Sequence, residues 1–255
     1  MSDNTAPPPE GTTPPPAGAA GYDAVEAIKY GWARFSHDPA TLLVPTIVIV
    51  LIIAVVEVVA QLVFAGIFLG DPECKVSITD TAISSECDGP GFFAGLFVAA
   101  VVAGIGTFVV HILMAGLVKS TLNIADGLPG LSIAEVFAWA SKPAVVTTAA
   151  FLAVLSFVST LLFYLPAIII GFLTAFTLYF VVDQGLVGVA AIKASFTFVT
   201  SQFSSTVVFM VLGAIAVIAG LIACVIGVFV ALPVVMIAAA YTFRVLHGRP
   251  VAPVA

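Results

Sequence analysis

Four long apolar runs divide the chain, and short segments that carry the charged residues separate them. The first two runs cover residues 39–70 and 89–118, and their only ionisable side chains are Glu57 and His111, one in each. With 32 and 30 residues, each run is long enough for one transmembrane helix, which needs about 20 residues. We therefore predict a single span in each.

The third and fourth runs are too long to be single spans. Residues 143–182 contain 40 uncharged residues, and residues 194–243 contain 50. At about 1.5 Å per residue, either helix would exceed the roughly 30 Å hydrocarbon core about twofold. Each run must fold back, and Pro166 and Pro233 mark matching internal breaks. The pattern thus predicts six spans, near residues 40–69, 92–118, 144–164, 166–182, 204–226 and 228–246.

One short amphipathic segment precedes each pair of spans. Before the first span, an apolar stripe follows steps of three and four residues: Val25, Ile28, Trp32 and Phe35. Before the fifth span, the stripe recurs at one constant offset: Val189, Ile192, Phe196 and Val199. Ser132 and Glu135 form a capping box that begins a third short helix before the third span. These signals predict three repeats, each an interfacial amphipathic helix followed by a transmembrane hairpin.

The composition excludes a water-soluble globule. Apolar residues make up 61% of the chain and charged residues 9%, whereas soluble domains are about half apolar and a quarter charged. The fold class is therefore an all-α, polytopic helical membrane protein. Residues 1–21 form a Pro/Gly-rich tail that we expect to be disordered, residues 22–247 the six-span domain, and residues 248–255 a second short tail.

The basic residues predict the orientation in the plasma membrane. With the N-terminus inside, only Lys75 is external, and seven basic residues are cytoplasmic: Lys29, Arg34, Lys119, Lys142, Lys193, Arg244 and Arg249. Basic residues favour the cytoplasmic side, so both termini are expected there and loop 70–91 outside. The chain has no basic run, so nucleic acid is not an expected partner; membrane lipid and other membrane proteins are.

Two cysteines lie in the external loop. Cys74 and Cys87 would face an oxidising compartment in this orientation, where thiols in reach of each other form disulfides. We predict a disulfide between them that closes a compact acidic loop.

Three short segments carry a resemblance to known proteins: residues 31–35 (GWARF), 183–185 (DQG) and 190–195 (AAIKAS). With them the chain resembles a broad group of bacterial six-span proteins of unknown function, similar to the membrane domain that accompanies some glycerophosphodiester phosphodiesterases. The Pro/Gly-rich tail looks like that of actinobacterial members. The resemblance covers residues 22–247 and implies the six-span fold. It implies no catalytic residue, because the hydrolase of such proteins is a separate soluble domain.

The candidate site residues are the polar side chains inside the apolar runs. Glu57 is costly in a membrane unless it is partnered, and Gln61 lies one helical turn further on the same face. His111 lies in the second span, at a depth that we estimate to differ from that of Glu57 by around 10 Å. Glu57 and His111 each also have a purely structural interpretation, as hydrogen-bonded groups within the helix bundle.

No catalytic triad, phosphate loop or metal-ligand spacing is present, so we expect no enzyme, no cofactor and no metal. Two hypotheses remain. The first is a structural, assembly or partner-binding membrane protein. The second is a transporter or lipid-handling protein that uses an intramembrane polar site of Glu57, Gln61 and His111. A cavity that reaches Glu57 favours the second.

Overall fold

The computed structural model describes residues 21–68, 73–79, 82–88, 92–162, 165–223 and 225–254. Apart from residues 73–79 and 82–88, which form two strands, the regular structure of these segments is helical. The helices are α1 (Ala24–His37), α2 (Pro39–Phe68), α3 (Phe92–Ala125), α4 (Ile133–Ala140), α5 (Pro143–Leu161), α6 (Leu165–Thr174), α7 (Thr177–Gln184), α8 (Val189–Ser201), α9 (Phe203–Ala223) and α10 (Val225–Leu246).

The helices form three units of the predicted kind. α1, α4 and α8 are short and each precedes a hairpin of apolar helices: α2 and α3, then α5 with α6 and α7, then α9 and α10. Among the described residues, six segments are long and apolar enough to cross a membrane, with α6 and α7 counting as one. Asp23 caps α1, and Ser132 and Glu135 form the predicted capping box at α4. The all-α, six-span prediction is confirmed.

The three units pack in a ring. α1 of the first unit packs on α10 of the third, α4 packs on α3, and α8 packs on α6 and α7. Each short helix therefore lies against the returning span of the preceding unit, and the first unit closes the ring on the last. Two of these crossings depend on glycine. A Cβ on Gly31 would meet the carbonyl oxygen of Val234 at 2.3 Å, and one on Gly116 that of Val136 at 2.1 Å.

The apolar stripes of α1 and α8 each contribute only their last residue to the buried face of the helix. Trp32 and Phe196, which occupy equivalent positions in α1 and α8, are 56% and 49% exposed, and Val25 and Val189 are both 46% exposed. α1 instead buries a face of small and aromatic residues that ends at Phe35: Ala24, Ala27, Tyr30, Gly31 and Phe35. Equivalent positions share their exposure, which supports the repeat. The outward aromatic side chains suit an amphipathic helix whose apolar face meets lipid.

The fourth span is broken between α6 and α7. The buried Ser195 of α8 fills the break: its Oγ donates to the carbonyl of Leu173 at 2.9 Å and accepts from the amide of Phe176 at 3.2 Å. Backbone groups that leave a helix inside a membrane need such partners. The sequence pattern missed this break because no proline or charge marks it.

The predicted break at Pro233 is wrong. α9 ends at Ala223, α10 begins at Val225, and Pro233 lies inside α10. Two glycines bring the helices together close to the turn, since a Cβ on Gly227 would meet the carbonyl oxygen of Gly220 at 2.3 Å. Small residues that permit close helix packing, rather than the proline, determine where this hairpin turns.

An antiparallel hairpin connects α2 to α3 at the end of the domain opposite the short helices. Its strands are β1 (Glu73–Thr79) and β2 (Ala82–Asp88), and their register places Cys74 opposite Cys87. The cysteine side chains lie outside the part of the structure that is described, so the disulfide stays a prediction.

We expect mass spectrometry of the non-reduced protein to find Cys74 and Cys87 in one linked peptide pair. A loop of this length would contribute about 3 kcal/mol through chain entropy. Reduction should therefore lower the melting temperature of the wild type and leave a Cys74→Ser/Cys87→Ser variant unchanged. Alkylation of both thiols without reduction would contradict the bond.

The two tails differ in what the structure describes. The predicted disordered segment lies outside the described residues apart from Gly21. The C-terminal tail returns to the bundle: the amide of Ala252 donates to the carbonyl of Ala125 at 2.8 Å, and the hydroxyl of Tyr30 donates to the carbonyl of Ala252 at 3.1 Å. The residues after α10 thus help to join α1 to the end of α3.

Candidate functional site

Glu57 lies at a cleft between α2, α3 and α5. Gln61 follows it by one turn, and its amide donates to the Glu57 carboxylate at 3.0 Å. Across the cleft is Gly106 of α3, where a Cβ would be 4.0 Å from the Glu57 carboxylate. The cleft has a volume of about 420 Å³, and His111 also lines it. All three predicted site residues therefore border one cavity.

Hydroxyl groups complete the polar lining. Thr107 of α3 donates to the hydroxyl of Ser156 in α5 at 2.9 Å, and both line the cleft. His111 Nδ1 lies 2.8 Å from the carbonyl oxygen of Thr107. A carbonyl only accepts, so Nδ1 carries the proton and a neutral ring leaves Nε2 as an acceptor. The bond orients the imidazole and leaves one nitrogen for another partner.

A second, smaller cavity adjoins the first. It measures about 190 Å³ and lies among α3, α5 and α6. Thr107, His111 and Ser156 line both cavities, and Ser159 and Thr174 extend the polar lining towards α6. His111 therefore stands where the two cavities meet.

The structure reduces the depth difference that the sequence suggested between Glu57 and His111. α3 continues six residues beyond Lys119, to Ala125, so His111 is further from the helix end than a boundary at Lys119 implies. At about 1.5 Å per residue, His111 lies about 21 Å from the end of α3 and Glu57 about 27 Å from the start of α2. The remaining difference is small enough for both to line one cleft.

Arg244 forms an ion-pair network that the sequence analysis missed. Its side chain is 5% exposed, and its Nε and Nη2 each donate at 2.8 Å to the Asp126 carboxylate. Its Nη1 lies 2.7 Å from Asp183, whose other oxygen accepts from Arg249 at 2.9 Å. The sequence analysis counted Arg244 only as an orientation signal. The available clue was its position directly after the last apolar run, before the end of the predicted sixth span.

The network joins all three units at the end that carries the short helices. Asp126 follows α3, Asp183 lies in the last turn of α7, and Arg244 lies in the last turn of α10. Each returning span is also followed by a glycine with positive φ: Gly127, Gly185 and Gly248. The equivalent ends of α3, α7 and α10 thus meet at one ion-pair network. We regard this network as structural, because its charges satisfy one another.

Among the residues that the structure describes, no three His, Cys, Asp or Glu side chains are grouped so as to hold a metal ion. The chemistry of the cleft is that of hydrogen bonding and one carboxyl group.

Proteins of two mycobacteria are similar to this chain over almost its full length. They are the uncharacterized proteins Mb2590 of Mycobacterium bovis and MT2637 of Mycobacterium tuberculosis, each 30% identical over 257 aligned residues. The alignments cover 97% of this chain and 78% of each relative. The chain belongs to this mycobacterial family.

Family membership supports the actinobacterial part of the resemblance described above. It provides no link to glycerophosphodiester phosphodiesterases, and the relatives' names state no activity. No protein-family model matches the chain, and no solved structure matches it either. A functional argument for this family member therefore rests on its own residues.

Proposed function

We propose that this protein binds the polar group of a membrane-soluble molecule in the Glu57 cleft and acts as a transporter or lipid-handling protein. The observation that carries the proposal is the cavity that brings Glu57, Gln61 and His111 together within the spans. A helix bundle that needed Glu57 only for its own packing would enclose the carboxyl group among internal partners. Here the side chain is exposed at a cavity, with Gln61 as its hydrogen-bond partner.

The lining determines which chemistry the ligand would need. Glu57 accepts hydrogen bonds when ionised, Gln61 offers both donors and acceptors, and neutral His111 offers Nε2 as an acceptor. An ionised carboxylate at this depth is costly without a donor or a cation. The cleft therefore suits an amine or hydroxyl group, and its neighbouring apolar surface suits the rest of an amphipathic molecule.

The surroundings of Glu57 support entry from the bilayer. Val55, Val58 and Leu62 are exposed on the same part of α2. In a membrane this surface meets acyl chains, so a lipid could reach the cleft sideways without crossing water. We propose that the protein lies in the plasma membrane with both termini on the cytoplasmic side. The concentration of basic residues at the end of the domain that carries the short helices supports this orientation.

A structural or assembly role is the second candidate. The exposed apolar side chains of α1 and α8, Trp32 and Phe196 among them, offer a surface for membrane-protein partners. That role would not require a polar cavity.

Replacement of Glu57 distinguishes the two candidates. The protein, reconstituted in nanodiscs with a total lipid extract of its native membrane, should retain at least one molecule at higher abundance than the bulk lipid. We expect Glu57→Leu to reduce that enrichment about tenfold, because two hydrogen bonds of about 0.5–1.5 kcal/mol each are lost. Mass spectrometry of the extracted molecules provides the measurement.

Two further variants complete the experiment. Glu57→Gln keeps hydrogen bonding but not charge, so it should retain a neutral ligand and lose a cationic one. Val58→Leu changes the adjacent, exposed position outside the cleft and should retain the wild-type enrichment. The proposal would be refuted if the wild-type protein enriched no molecule over the bulk lipid, or if Glu57→Leu retained the same molecules at the same abundance. If Glu57 is purely structural, Glu57→Leu should instead lower the thermal stability and leave the set of copurifying molecules unchanged.

A further inference from the structure

Two lysines converge on one tryptophan at the end of the domain that carries the short helices. Lys119 Nζ of α3 lies 5.9 Å from the ring centre of Trp139 in α4, and Lys142 Nζ lies 5.7 Å from it. Three separate elements supply these residues, since Lys142 is the N-cap of α5. We propose that Lys119, Trp139 and Lys142 form a binding site for the phosphate of an anionic phospholipid headgroup.

The first argument is the unbalanced charge. Within the described part of the chain, neither lysine forms an ion pair with a carboxylate. Glu135, which precedes Trp139 by one turn, is already engaged as the acceptor for the amide and hydroxyl of Ser132. Two like charges held near one ring repel each other, and the ring offers only a weak attraction to each. An anion bound between them would remove the repulsion.

The second argument is the position relative to the bilayer. Lys119 lies near the end of an apolar span, and α4 and the start of α5 follow directly. Tryptophan is typical of the headgroup level, where an amphipathic ring meets both lipid and water. Ile133 and Val146 are exposed on the same two helices. A basic pair and exposed apolar side chains thus occur together. This combination matches the phosphate and the acyl chains of a phospholipid, whereas free phosphate would use the basic pair alone.

The third argument is the contrast with the other repeats. Lys29 and Lys193 occupy equivalent positions in α1 and α8, and both are exposed. Neither lies over an aromatic ring with a second lysine beside it in the described residues. They lie at the same end of the domain and carry the same charge, so they are matched controls for general attraction to an anionic surface.

Trp139 itself reports on the site. The chain has two tryptophans, so Trp32→Phe leaves Trp139 as the only one. The Trp32→Phe variant is reconstituted in phosphatidylcholine vesicles with increasing fractions of phosphatidylglycerol that has brominated acyl chains. The bromine atoms quench the fluorescence of a nearby indole ring. Brominated phosphatidylcholine is the reference lipid. We expect phosphatidylglycerol to quench Trp139 with about tenfold higher apparent affinity, in keeping with two lysines at an anionic site.

The variants decide between a site and a general charge effect. Lys119→Gln/Lys142→Gln should abolish the preference for phosphatidylglycerol, and Lys119→Arg/Lys142→Arg should keep it. Lys29→Gln/Lys193→Gln has the same net charge as the first double variant and should also keep the preference. Equal quenching by both lipids, or equal losses in the two glutamine pairs, would overturn the proposal. Competition by millimolar inorganic phosphate would show a site for free phosphate and would overturn the assignment to lipid. Circular dichroism confirms that each variant is folded.

Discussion

Arg244→Met should lower the free energy of unfolding by about 3–5 kcal/mol, because it leaves the Asp126 and Asp183 carboxylates without their shared partner. Asp183 is 9% exposed and depends on Arg244 and Arg249 for compensation, while Asp126 is 35% exposed and regains some water. The effect should therefore fall towards the lower end of the range. For a domain of this size it corresponds to a fall of about 6–12 °C in melting temperature.

Thermal unfolding in a mild detergent or in nanodiscs measures this effect. Lys193→Gln removes one positive charge from the same end of the domain at an exposed position, and its melting temperature should stay within 2 °C or so of the wild type, as for most surface substitutions. Adding Asp126→Asn and Asp183→Asn to Arg244→Met removes the unpaired charges and should recover part of the loss. An Arg244→Met protein as stable as the wild type would show that the network contributes nothing.

Gly116→Ala should destabilise the protein by about 2–3 kcal/mol, although alanine is the better helix former. The added Cβ would lie 2.1 Å from the carbonyl oxygen of Val136 and 2.7 Å from its Cα, so the backbone of α4 must move away from α3. Such a movement disturbs the contact between the first and second units of the ring. The measurement is again the melting temperature.

Gly171→Ala is the matched control, because Gly171 also lies in a membrane helix and a Cβ there would meet nothing within 4 Å. It should be neutral or slightly stabilising, by up to about 1 kcal/mol. Equal effects at both glycines would show that helix propensity, and not the crossing of α3 and α4, determines the outcome.

Hydropathy predicted the spans well because the bilayer constrains helix length directly. The predicted first and second spans lie within or near α2 and α3, and the repeat was visible from the stripes of α1 and α8. The sequence analysis predicted interfacial helices, and the exposed Trp32 and Phe196 agree with that prediction. A stripe identifies an apolar side of a helix, but it does not say whether protein or lipid covers that side, and in α1 the glycine and alanine face packs on α10.

Features that depend on one residue meeting another could not be predicted from the pattern. The turn between α9 and α10 follows from the close contact of Gly220 with Gly227, whereas Pro233 is accommodated within a helix. The partners of Arg244 lie 118 and 61 positions earlier in the chain, so a local pattern contains no sign of them. At the cleft, the polarity of Glu57, Gln61 and His111 was evident, but the contributions of Thr107 and Ser156 required the packing of α3 against α5.

The closed ring of units also has a consequence for biosynthesis. α10 leaves the ribosome after α1 to α9, yet it supplies both the surface on which α1 packs and the arginine that neutralises Asp126 and Asp183. Until α10 is inserted, α1 lacks the surface on which it packs, and Asp126 and Asp183 lack Arg244. A chain that stops before α10 would therefore carry a local charge imbalance at the membrane surface.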